Sequence, residues 1–181
     1  MVATEETGRL IRNYGLFWRK QEVDWKQRRH GRLIGLGERR KSSGRIDFSQ
    51  QRGIYALYDD TFRLIYVGQA GGKNRRLYPR LRKHAHSVLS ERWTRFSWFG
   101  ICDVDWDATA DVRGLREVPD EIRTDRVNVL NHLEAILIMA GEPIKNLKGG
   151  LFGNDVTHFR QVALSRQDET PTDEDFSEEE E

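Results

Sequence analysis

The sequence predicts an α/β protein, with a small antiparallel or mixed sheet packed against helices. Three observations predict it. The runs "GIYALYD" and "RLIYVGQ" are rich in β-branched and aromatic residues, and they flank "DDT", which is hairpin chemistry. The stretch "LYPRLRKHAHSVL" then changes to helical spacing, with Leu81, Ala85, Val88 and Leu89 on one face. Finally, "RFSWFGICDV" reads as a third strand and "VNVLNHLEAILIMAG" as a buried helix. Strand, strand, helix, strand, helix is the order of a small α/β sandwich.

Taken in order, residues 1–50 read as a basic N-terminal extension rich in Arg, Trp and Gly. In it, "GLFWRKQEVDW" fits a short helix or a strand equally well. "RRHGRLIGLGERRKSSGR" reads as a strand or loop, either a phosphate-contacting surface or a flexible basic arm. Residues 51–163 form the organised domain. Pro79 suits a first helical turn, which places a helix start near Tyr78. Gly141, with Pro143 just beyond, ends the last helix. Residues 164–181 are an acidic tail with too little apolar surface to offset ordering entropy, so disorder is expected there.

Bulk properties narrow the function. No apolar run approaches the ~20 residues of a membrane span, and no signal-peptide pattern opens the chain. A soluble cytoplasmic protein with no membrane partner is expected. The single Cys102 excludes an internal disulfide and a cysteine-based zinc site, and its apolar surroundings predict core packing. The net charge of +1 hides an asymmetry. Residues 166–181 hold one Arg and nine carboxylates, net −8, so the other 165 residues carry +9. A basic body can attract a polyanion. It is equally consistent with a well-solvated surface.

Several residues stand out chemically. Glu134 sits among apolar neighbours, where a buried carboxylate is costly unless paired or bound to a cation. Alternatively it shares an exposed stripe with Asn131 and His132. Arg80 and His84 are four apart and so share a helix face. Above the first turn of that helix they would suit a phosphate. With Arg82 and Lys83 they would equally form a solvated face. Tyr55 and Tyr66 come from the two hairpin strands and can meet on one face, and Gly53 and Gly68 permit close backbone approach. They also fit ordinary strand tyrosines and strand-end glycines. Trp93, Trp98 and Trp106 read as core, and His86, His132 and His158 as surface residues.

Together these pieces resemble the GIY-YIG nuclease family. The match consists of Gly53-Ile54-Tyr55, Tyr66-Val67-Gly68, Arg80, His84, Glu134 and Asn146, a little over half of the chain. Val67 stands where the family usually has Ile, a conservative change. The Arg-x-x-x-His spacing looks most like the restriction-endonuclease branch.

The resemblance implies a small three-stranded antiparallel sheet flanked by helices, and metal-dependent hydrolysis of DNA. It implies that Glu134 holds Mg²⁺ or Mn²⁺. Tyr55 would take a proton from the attacking water or position it, and Tyr66 would help fix the phosphate. Arg80 would stabilise the transition state. His84 would assist at the tyrosine or bind phosphate, and Asn146 would orient the site. Lys73, Arg75 and Arg76, with Gly53 and Gly68, would contact substrate. A homodimer or a partner protein would suit double-strand cleavage. Readings of other classes are a nucleic-acid-binding module without catalysis and an RNA nuclease or toxin.

The charge asymmetry generates one hypothesis, that the acidic tail covers the basic body. Deleting residues 166–181 is then expected to raise non-specific DNA affinity at low salt. Unchanged affinity would leave the tail a solubilising end.

Overall fold

A computed structural model describes residues 10–27, 31–37, 44–71, 76–107, 109–117, 126–141, 152 and 156–163. Ten strands and two helices lie in them. They are β1 (Asn13–Arg19), β2 (Ile34–Gly37), β3 (Arg45–Asp47), β4 (Gly53–Tyr58), β5 (Leu64–Ala70), α1 (Leu77–Ala85), β6 (Arg95–Gly100), β7 (Asp103–Val104), β8 (Val112–Arg113), β9 (Leu115–Arg116), α2 (Arg126–Gly141) and β10 (Thr157–Gln161).

Eight strands form one sheet, in the order β5-β4-β6-β1-β10-β2-β3-β8, and β7 pairs with β9. The sheet is mixed, because β1 runs parallel to β10 and β3 parallel to β8. This corrects the expected fold class of a small three-stranded antiparallel sheet flanked by helices. The three expected strands are present as antiparallel neighbours, β5-β4-β6, at one end of the sheet. The sheet continues because β1, from the supposed extension, pairs along β6. Backbone pairing and aromatic burial stabilise β1, not local propensity. Trp18 is buried against the rings of Phe48, Phe96 and Trp98.

Alternation along the strands separates two faces. On one face Tyr55, Leu57, Phe96 and Trp98 pack with Leu77, Tyr78 and Leu81 of α1. On the other, Phe99 and Ile11 pack with Ala135 and Ile136 of α2. The two helices therefore lie on opposite faces. Helix α1 ends at Ala85, earlier than its spacing predicts, and Val88 is 95% exposed. Trp106 also departs from the core reading, with Arg113 lying over its ring. His132, expected at the surface, is buried and its Nδ1 accepts the Ile11 N–H. The acidic tail lies outside the described residues.

A buried carboxamide network fixes where β4 begins. Gln51 Nε2 donates to Asn13 Oδ1 (2.7 Å), Asn13 Nδ2 to the Cys102 carbonyl (2.9 Å), and Cys102 N to Gln51 Oε1 (2.9 Å). Gly53 follows with φ +141°, and a Cβ there would lie 1.9 Å from the Phe99 carbonyl oxygen. No side chain fits without separating β4 from β6. Gly53→Ala is expected to cost about 2–4 kcal/mol. Gly114→Ala, where a Cβ meets nothing within 4 Å, is expected to stay within about 0.5 kcal/mol. Chemical denaturation of both variants checks the contrast, and equal stabilities would contradict it.

Candidate active site

The hairpin sets the first part of the geometry. Tyr55 stands opposite Gly68 on β5 and opposite Trp98 on β6, while Tyr66 stands opposite Leu57. Tyr55 and Tyr66 are thus diagonal neighbours on one face, with ring centroids 6.1 Å apart. Gly68 is what lets them lie there. A Cβ on it would come within 2.3 Å of the Tyr55 hydroxyl and 2.7 Å of the Tyr66 ring.

Helix α1 covers the pair. His84 Nε2 lies 2.9 Å from the Tyr55 hydroxyl, and its ring lies 4.6 Å from that of Tyr66. Arg80 sits one turn earlier on the same stripe of α1. Its Nε is buried and has no hydrogen-bond partner. The backbone N–H groups at the helix start do not form an anion site. Leu77 N donates to the Gln51 carbonyl and Tyr78 N to the Ser49 carbonyl, and Pro79 has no N–H. Any anion here would be held by side chains.

Burial pushes the Tyr55 phenol above its ordinary value, opposed most strongly by the neighbouring Arg80 guanidinium. Burial also lowers His84, and the cations of Arg80 and Lys83 lower it further. At neutral pH the phenol is therefore protonated and the imidazole neutral. The pair is set for Tyr55 to donate to Nε2, with the ring proton on Nδ1. No described carboxylate is among the charges that act on Tyr55 or His84.

Tyr55, Tyr66, Gly68, Arg80 and His84 are thus brought together. Gly53 lies two residues before Tyr55, against β6. Arg76 precedes α1 and binds Glu117 rather than facing the phenols. Lys73, Arg75 and Asn146 lie outside the described residues. Glu134 belongs to α2, and its side chain is likewise outside them. Among the described residues no group of three or more His, Cys, Asp or Glu could hold a metal. Helix α2 packs on the face opposite the phenols. The described donors therefore do not assemble a metal site at Tyr55.

Sequence reasoning missed Arg52 and Glu117, which carry no motif. Arg52 stands before Gly53, and its Nη1 lies 3.1 Å from Glu117 Oε2. Neighbouring charges in space are the only signal that identifies the pair.

No family model, curated protein or solved structure matches this chain.

The desolvated imidazole leads to a stability prediction. The folded-state value of His84 lies below that of the unfolded chain, about 6.5. As pH falls through the window between these values, the unfolded chain binds the proton first and stability is lost. His84→Gln is expected to remove that component. Melting temperatures of both chains across this pH range check it, and parallel curves would contradict a desolvated His84.

Proposed function

We propose that the protein is an endonuclease that hydrolyses DNA phosphodiester bonds at the Tyr55 site. The observation that carries this reading is the convergence of Tyr55, Tyr66, Arg80 and His84 on one face. These four residues come from three separate motifs of the GIY-YIG resemblance.

The proposed chemistry follows from the protonation states. A buried phenol held above its ordinary value is a poor base by itself. The neutral His84 supplies the missing acceptor. As a water oxygen bonds to phosphorus, its proton passes to the Tyr55 oxygen, and the phenol proton passes to His84 Nε2. The bond from phosphorus to the leaving oxygen breaks, and that oxygen takes a proton from solvent. Arg80 faces the charge that gathers on the non-bridging oxygens, and its fork suits two of them. Tyr66 donates to the same phosphate. Of the two roles open to His84, its contact with Tyr55 supports the proton-accepting one.

The requirement for Mg²⁺ or Mn²⁺ on Glu134 belongs to the proposal through the resemblance alone. A second reading is a nucleic-acid-binding module without catalysis.

Supercoiled plasmid incubated with Mg²⁺, Mn²⁺ or EDTA separates these readings. Nicking or linearisation is expected. Tyr55→Phe and His84→Ala are each expected to slow it by about 10²–10⁴, and Arg80→Lys by about 10². Glu134→Ala abolishing the metal-dependent rate would support the metal assignment. No cleavage of plasmid or RNA in any condition, with DNA binding retained, would establish the binding module. Cleavage of RNA alone would redirect the proposal to an RNA nuclease.

A further inference from the structure

Arg76 stands just before α1 with an extended backbone, and its carbonyl accepts the N–H of Arg80 in the first turn (3.2 Å). There it meets a second guanidinium. Arg52 Nη2 donates to the Gly71 carbonyl (2.9 Å), and Arg52 Nη1 lies 3.1 Å from Glu117 Oε2. The other oxygen of Glu117 binds Arg76 Nη2. One carboxylate therefore bridges two arginines that arrive from different elements.

Two features bear on what this bridge can exchange. The Nε atom of Arg52 is buried without a hydrogen-bond partner. Buried guanidinium donors are normally satisfied. The carboxylate is also easily released, since the Glu117 side chain is 57% exposed and exposed ion pairs contribute little. A phosphate offers the same guanidinium fork a comparable acceptor set. The two arginines also hold Glu117 below the usual carboxylate range, Arg76 most strongly. It therefore stays anionic well below neutral pH.

We propose that Arg52 and Arg76 form a second phosphate subsite, for the nucleic-acid strand that enters the Tyr55 site, and that Glu117 closes it in the free chain as an internal phosphate mimic. This rests on the nuclease reading and deepens it. Strand binding exchanges one anion for another at the two guanidinium groups and expels the 117 side chain into solvent. Glu117 therefore restrains non-specific binding, because every strand must first displace it.

Fluorescence anisotropy of a short labelled duplex, in EDTA across a salt series, tests this with the full chain. Glu117→Gln is expected to bind about fivefold tighter at low salt. The slope of log K against log salt is expected to steepen by about one. Arg76→Gln is expected to weaken binding and to abolish the gain when combined with Glu117→Gln. Wild-type binding with an unaltered affinity and slope in Glu117→Gln would overturn the subsite and leave the nuclease reading standing. Weaker binding by Glu117→Gln would make the triad a structural tie, again overturning the subsite alone. A gain for inorganic phosphate without a gain for duplex would assign the site to a free anion and overturn it too. If neither chain binds duplex or RNA at low salt, both the subsite and the nuclease reading fall.

Discussion

Tyr55 places a phenol hydroxyl in the interior of a sheet, and much of the local architecture follows from satisfying that one group. Its side chain projects from the face that α1 covers, where it is fully buried, so water does not reach it. A buried hydroxyl without a partner would cost about 1–3 kcal/mol. The partner comes from α1, through His84 Nε2. That contact fixes the rotation of α1, since turning the helix by one residue would swing His84 about 100° away. It also fixes the height of the helix above the sheet, which the aromatic rings beneath it match. Gly68 is the third member of this arrangement, because the two phenol rings occupy the space of its missing side chain.

Burial then decides the electrostatics. The same removal from water that raises Tyr55 lowers His84, so the pair is neutral at neutral pH. A neutral pair can pass a proton without creating a buried charge at rest. Charge appears only when a proton enters, and Arg80 stands where an accompanying anion would be welcome. The sheet keeps α2 on its other face, packed on Phe99 and Ile11. On the face with the phenols, Arg80 and Lys83 are the cations that lower His84.

The parts of this arrangement that were legible in the sequence are local ones. The hairpin follows from two β-rich runs and a short connection, which let Tyr55 and Tyr66 meet on one face, while its register, with an irregularity between Leu57 and Tyr58, does not. The spacing of Arg80 and His84 follows from the helical period. The wider sheet was not legible, because its pairings are long-range. Asn13 pairs with Thr157, and the Trp18 indole donates to the Phe159 carbonyl. Neither end of the chain contains a run that declares itself as a central strand. Gly15 and a bulge interrupt β1, so its alternation is broken where a reader would look for it. His132 was hidden for a related reason. Nothing in "LNHLEAIL" shows that an unpaired Ile11 N–H will meet the imidazole. The end of α1 at Ala85 was missed because Val88 and Leu89 extend the apolar spacing. Spacing does not reveal that the chain has already turned away.

Helix α1 serves different ends along its length, and the difference follows from solvent access. Its inner face meets the sheet through Leu77, Tyr78, Leu81 and His84, and there desolvation sets the protonation of His84, while a guanidinium nitrogen of Arg80 is buried unsatisfied. Its N-terminal end is closed by the loop that precedes β4. The Gln51 and Ser49 carbonyls take its first N–H groups, and Gln51 also holds Asn13 and Cys102. The helix dipole is thereby answered by backbone at its start, and recognition of any anion falls to arginine side chains. Those side chains are anchored on the elements that also fix the phenols. Arg52 leads into β4, and Arg76 leads into α1. In the proposed nuclease, a strand gripped by these two arginines would be gripped in register with Tyr55, because the carboxamide network that positions β4 positions Arg52 as well. Orientation would then come from the fold itself, through the rigid start of one strand and one helix.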